Sequence, residues 1–114
     1  SSWNSHFTNL NSITINDDHW NREDLSALHQ LKTFVIYAGT QYHTTTQTNN
    51  PIIPIPSAAI DNIIIQINSG AGQYITNGTI TIAAGGTNRT SSSDAAVSAL
   101  NAKGWIISIS GAQQ

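Results

Sequence analysis

The densest group of side chains able to do chemistry is NDDHWNRED, residues 16–24. Asp17, Asp18 and His19 could ligate a divalent cation, with Glu23 or Asp24 completing the set. The plainer reading is a solvated turn between a strand and a helix, in which Asp and Asn satisfy backbone groups. No EF-hand spacing or zinc-type ligand pair supports the metal. A carboxylate pair for glycoside hydrolysis could be drawn from Asp17, Asp18, Glu23 and Asp24, but these crowd one loop instead of flanking a cleft. His6, His19, His29 and His43 are dispersed, and no G-x-S-x-G elbow offers them a nucleophile. His29 is expected on the exposed side of a helix. Gly85-Gly86 follows a strand, but no helix or lysine follows directly, so a turn is expected there and not a phosphate loop. The expectation is that the chain has no catalytic constellation and needs no cofactor.

The aromatic residues offer a second kind of chemistry. Trp3, Trp20, Tyr37, Tyr42 and Tyr74 could stack on sugar rings, and Trp20, Tyr42 and His43 are the best exposed candidates for a ligand surface. Packing over sheet edges is the competing role. Asn77-Gly-Thr and Asn88-Arg-Thr match glycosylation sequons, though turns account for both equally well.

Composition narrows the partners. The chain has 114 residues, no cysteine and no methionine, 9% charged residues and a formal net charge of −2. That length fits one domain able to bury its own core. Without cysteine there are no disulfides, thiolate zinc sites or thiol nucleophiles. The missing initiator suggests a processed product or part of something longer. Four Lys/Arg residues cannot form the basic stripe of a nucleic-acid binder. The apolar runs are too short to insert in a membrane, and no signal peptide is visible. Polarity comes from Ser, Thr, Asn and Gln, which suits an extracellular, cell-surface or virion setting.

Elements that would position these residues follow from periodicity. FTNLNSITIN and LHQLKTFVIY align without a gap at an offset of 21 residues, matching Leu10 with Leu31, Ile13 with Phe34 and Ile15 with Ile36. Each unit ends in alternating apolar residues, a short strand with one buried face. NREDLSALHQL between them predicts a helix capped by Asn21, with Leu25, Leu28 and Leu31 inward. Residues 38–50 form either a loop or an edge hairpin. PIIPIP is extended. SAAIDNIIIQIN has Ile60, Ile63, Ile64 and Ile67 at helical spacing, with Ser57 as cap. TITI is the next strand, and SDAAVSALNAK the next helix, capped by Ser93. Lys103 sits at its negative end, and Gly104 is the residue that stops it through positive φ. Trp105 folds back over that end, and Ile107 and Ile109 continue the core face of a last strand. The resulting order predicts parallel strands stacked 1-2-3-4 through right-handed crossovers. The edge of the first strand is expected to be covered by Trp3 and Phe7, by a missing repeat or by a partner.

The L-x-x-Φ-x-Φ units, where Φ is apolar, resemble leucine-rich repeats of the irregular bacterial type. Residues 55–110 are similar to a C-terminal segment that follows such repeats in bacterial surface proteins and phage structural proteins. The marks are IDNIIIQI, NGTITIAAGGTN, a Ser/Ala-rich helix and L-x-x-KGW, with Asn77, Gly78, Gly104 and Trp105 the most specific. The resemblance implies an α/β fold of short stacked strand-helix units, a fragment of a leucine-rich-repeat-like solenoid with a small, mostly parallel sheet. Residues 1–50 would be two irregular repeats plus a polar loop, and residues 51–114 a capping segment. It implies a non-enzymatic structural or interaction module for adhesion, fibre building or receptor recognition. Its partner would be a protein or glycan surface, in a possible homo-oligomer or a larger assembly. A carbohydrate-binding module is the alternative.

Overall fold

Alternating isoleucines become two ladders that run straight across a sheet. A computed structural model of the chain describes residues 10–16, 25–38 and 54–114. Strands β1 (Ser12–Asn16), β2 (Thr33–Tyr37), β3 (Thr79–Ala83), β4 (Ile106–Ile109) and β5 (Ala112–Gln113) form one sheet in the order β1-β2-β3-β4-β5. The first three pairings are parallel and the last is antiparallel. Register places Ile13, Phe34, Ile80 and Ile107 in one row and Ile15, Ile36, Ile82 and Ile109 in the next. The 21-residue offset seen in the sequence is therefore the register of β1 on β2.

These rows face a layer built from helices α1 (Ser57–Ser69) and α2 (Asp94–Ala102) and a 3-10 turn at Leu25–Ala27. On α1, Ile60, Ile63, Ile64 and Ile67 are fully buried, and on α2 Val97 and Leu100 join the same core. The fold is thus a mixed α/β arrangement with a small, mostly parallel five-stranded sheet. Right-handed crossovers are the rule for such parallel units.

Three expectations about helix ends and lengths are corrected. In place of a helix the chain forms a 3-10 turn at Leu25–Ala27 and a further turn after it, with Leu28 N–H donating to the Leu25 carbonyl (3.1 Å) and Leu31 N–H to that of Leu28 (3.3 Å). Leu25, Leu28 and Leu31 are three apart, which matches the three-residue period of a 3-10 turn, and all are fully buried. The expected cap Asn21 lies outside the described residues. Ser57 does not cap α1: it is the first helical residue, behind Pro56, and no side chain caps that end. Ser93 does not cap α2 either. A 3-10 turn at Ser91–Ser93 leads into the helix, and Thr90 caps that turn by accepting from the Ser92 amide. The earlier residue is chosen because Ser93 is buried and its hydroxyl is engaged elsewhere.

The C-terminal stop of α2 forms as read. Gly104 has φ +86°, its N–H donates to the Asn101 carbonyl, and the Trp105 N–H donates to that of Leu100. This double bonding is the Schellman arrangement. β5 was not foreseen. Ser110 and Gly111, both at positive φ, make a two-residue primed turn that folds β5 back onto β4.

Candidate interaction surface

Side chains on a strand alternate between faces, so the residues between the core ladders must lie on the opposite side of the sheet. Register gives the rows Ser12–Thr33–Thr79–Ile106 and Thr14–Val35–Thr81–Ser108, with Tyr37 beside Ala83 beyond them. Ser12, Thr14, Tyr37, Thr81 and Ile106 are exposed, and the others are half-buried. None of these residues is charged. The face is a mat of hydroxyls carrying three apolar points, Val35, Tyr37 and Ile106, and Ile106 keeps 48% of its surface in solvent. Such a surface can accept a partner by shape and neutral hydrogen bonds; it holds no acid, base or nucleophile pair.

The two ends of this face differ. At β4 the edge is occupied by β5. The Gln114 amide donates to the Ile107 carbonyl (2.8 Å), and Arg89 Nε donates to Gln114 Oε1 (3.0 Å). At β1, Thr33 N–H donates to the Asn11 carbonyl (3.0 Å). In a parallel ladder this sets the alternation: Asn11, Ile13 and Ile15 turn their backbone groups to β2, while Ser12 and Thr14 turn theirs outward. No described strand pairs with that outer edge. Ile13 is nonetheless buried in the core and Ile15 is half-buried against it.

The four structural residues of the C-terminal segment converge in a single clasp. Asn77, at φ 61°, donates its N–H to the Lys103 carbonyl (2.9 Å), and Ile106 N–H donates to the Gly78 carbonyl (3.0 Å). Trp105 lies in the core with Nε1 donating to the Ile75 carbonyl (2.8 Å). Its ring lies on Gly78, where an added Cβ would come within 2.5 Å of ring carbons. A Cβ at Gly104 would overlap the Asn77 side-chain oxygen. Lys103 donates its ammonium to the Gly72 carbonyl, tying the turn after α1 to the end of α2.

One polar cluster escaped the sequence reading. Asp61, only 5% exposed, sits on the inward side of α1. It accepts from the Thr90 amide (2.9 Å), the Thr90 hydroxyl and the Ser93 hydroxyl (2.7 Å). Burial alone would raise its pKa. The hydroxyls of Thr90 and Ser93, the Thr90 amide and the Arg89 guanidinium outweigh that and hold the carboxyl below its ordinary value. Arg89 also pairs with the exposed Asp94. The cluster fastens α1 to the start of α2, and every donor around Asp61 is local protein, so its role is structural. The available signal was position: Asp61 is three residues before Ile64, within the apolar arc.

The remaining candidates separate into two groups. Trp3, His6, Phe7, Asp17, Asp18, His19, Trp20, Glu23, Asp24, Tyr42 and His43 lie outside the described residues, as does the loop or hairpin over residues 39–50. Among the described residues no group of His, Asp and Glu could hold a metal ion, and no helix is long and apolar enough to cross a membrane. His29 is exposed, as expected, but it is not solitary: its ring lies 4.9 Å from that of Tyr74. Gly85 and Gly86 have positive φ and form a turn, as read. Comparison with protein-family models finds no match, and comparisons with curated proteins and with solved structures find none either.

Proposed function

We propose that the chain is a non-enzymatic structural or interaction module of an extracellular, cell-surface or virion protein. It closes one end of a leucine-rich-repeat-like stack and serves adhesion, fibre building or receptor recognition. The observation that carries this reading is the inequality of the two sheet edges. β5 takes the place that a further parallel strand would occupy beside β4, whereas no described strand pairs with the outer edge of β1, whose register is the same parallel one that joins β1, β2, β3 and β4. The uncharged hydroxyl face supports a role in contact and not in catalysis.

Light scattering after size exclusion tests it. The chain should form a discrete oligomer in a concentration-dependent way, because an uncovered edge templates strand addition. Thr14→Pro removes an outward-facing N–H, a place where an edge strand tolerates proline. It should return the chain to monomer with the fold intact. A wild-type chain that stays monomeric at high concentration would contradict the stacking role and favour the second reading, a carbohydrate-binding module. The specific support for that alternative is the exposed His29–Tyr74 pair.

A further inference from the structure

We propose that His29 and Tyr74 form a small binding ledge for the ring of a neutral saccharide. This rests on the reading of the chain as a recognition module, and it uses a different surface from the β1 edge. The two residues come from different segments. His29 follows the 3-10 turn that leads to β2, and Tyr74 follows the 3-10 turn that leads to β3. Their ring centroids are 4.9 Å apart and their planes are inclined by 36°. Tyr74 nevertheless keeps 66% of its surface in solvent. Two aromatic rings are thus brought together at the rim of the sheet without being buried by the core.

The segments that carry them are locked to each other. The backbone of Gly70, at the end of α1, lies so close to Ser26 that an added Cβ would be 2.5 Å from the Ser26 carbonyl oxygen. The Leu25 amide donates to Gln66 Oε1 of α1 (2.9 Å). Tyr74 N–H and Ile75 N–H both donate to the Ala71 carbonyl (2.9 and 2.7 Å). The ledge is therefore set before any ligand arrives, and a preset site loses less entropy on binding.

The chemistry of the rim selects the ligand class. An aromatic face is electron-rich and attracts the weakly positive C–H groups on one side of a pyranose, while the phenol hydroxyl and the imidazole nitrogens can meet its hydroxyls. Gln30, Gln73 and Thr76, the neighbours in sequence, are exposed and uncharged. Lys32 is the charged residue nearest to His29 along the chain, and it is exposed. An acidic saccharide held by Lys32 would show itself by its salt dependence.

Titration of the full chain with methyl β-glucoside, lactose and N,N′-diacetylchitobiose, followed by NMR, tests the ledge. At least one should bind saturably, with shifts centred on His29, Tyr74 and their neighbours. Tyr74→Ala should weaken it about tenfold, and Tyr74→Phe by no more than about threefold, because the stacking face remains. His29→Ala should weaken it by a few-fold. None of the three should change the melting temperature, since both rings are exposed. Failure of all three sugars to saturate would overturn the proposal, as would unchanged affinity in Tyr74→Ala. A preference for acidic sugars that salt abolishes would overturn it as well. The light-scattering behaviour of Thr14→Pro does not involve Tyr74, so the ledge can fail while the stacking reading stands, and the reverse.

Discussion

β1 and β4 occupy equivalent places in one parallel register, yet they are finished differently. β4 is bounded by the turn at Ser110-Gly111, by β5, and by the clasp of Asn77, Gly78, Gly104 and Trp105 behind it. β1 has β2 on one side and an outer edge with no described partner. The same row of apolar side chains therefore rests on two kinds of support. At the β4 end, local backbone geometry fixes the strand together with packing. At the β1 end, pairing with β2 and the burial of Ile13 in the core do most of the work. Edge chemistry, more than core composition, distinguishes an end that stops a sheet from one that can extend it.

Substitutions can break this contrast, and the largest effect belongs at the finished end. Gly104→Val puts a β-branched residue at φ +86° and drives its Cβ into Asn77. The expected loss is about 4 kcal/mol, from backbone strain and overlap together, read by chemical denaturation. Wild-type stability in that variant would mean that Gly104 does not set the junction. Ile107 and Ile13 share a row and offer a matched pair. Ile107→Ala should cost about 3 kcal/mol, and Ile13→Ala at the edge about half of that. Equal losses would show that β1 is as enclosed as β4.

Asp61→Asn tests the fastening between α1 and α2, with an expected cost of about 2 kcal/mol as acceptors for Thr90 and Ser93 are lost. Its pH dependence has a definite sign. The folded carboxyl titrates below its ordinary value, so its contribution is complete above the unfolded carboxylate pKa, about 3.9. It is lost as pH falls through the lower folded value. Denaturation midpoints below about pH 4 should thus fall less steeply in Asp61→Asn than in the wild type. The smallest effect on folding is expected from Thr14→Pro, under about 1 kcal/mol, because the lost donor faces outward.

Much of this architecture is legible in the sequence because it depends on local periodicity. The offset between Ile13 and Phe34, the apolar stripe of α1 and the Lys103-Gly104-Trp105 stop each state their geometry in a few residues. Where tertiary context decides, the sequence misleads. Leu25, Leu28 and Leu31 fit a helical face and a 3-10 turn almost equally, and contact with Gly70 and Gln66 of α1 accompanies the tighter one. Ser93 looks like a cap, but Asp61, 32 residues earlier, claims its hydroxyl. Tyr74 was legible only as one aromatic among several. Its partner His29 is distant in the chain, and no periodicity links them. Trp20, Tyr42 and His43 remain sequence candidates outside the described residues.

The central claim is that β5 closes the sheet beyond β4, while no described strand closes it at β1 and a further strand can add there. Amide hydrogen exchange of the 114-residue chain, measured over a range of concentrations, tests it most directly. The account predicts that the Ser12 and Thr14 amides exchange rapidly in dilute solution and become protected as the oligomer forms, while the Ile109 amide, which faces Ala112 of β5, is protected throughout. Strong protection of Thr14 in the dilute monomer would contradict it, since the chain would then already cover its own first edge.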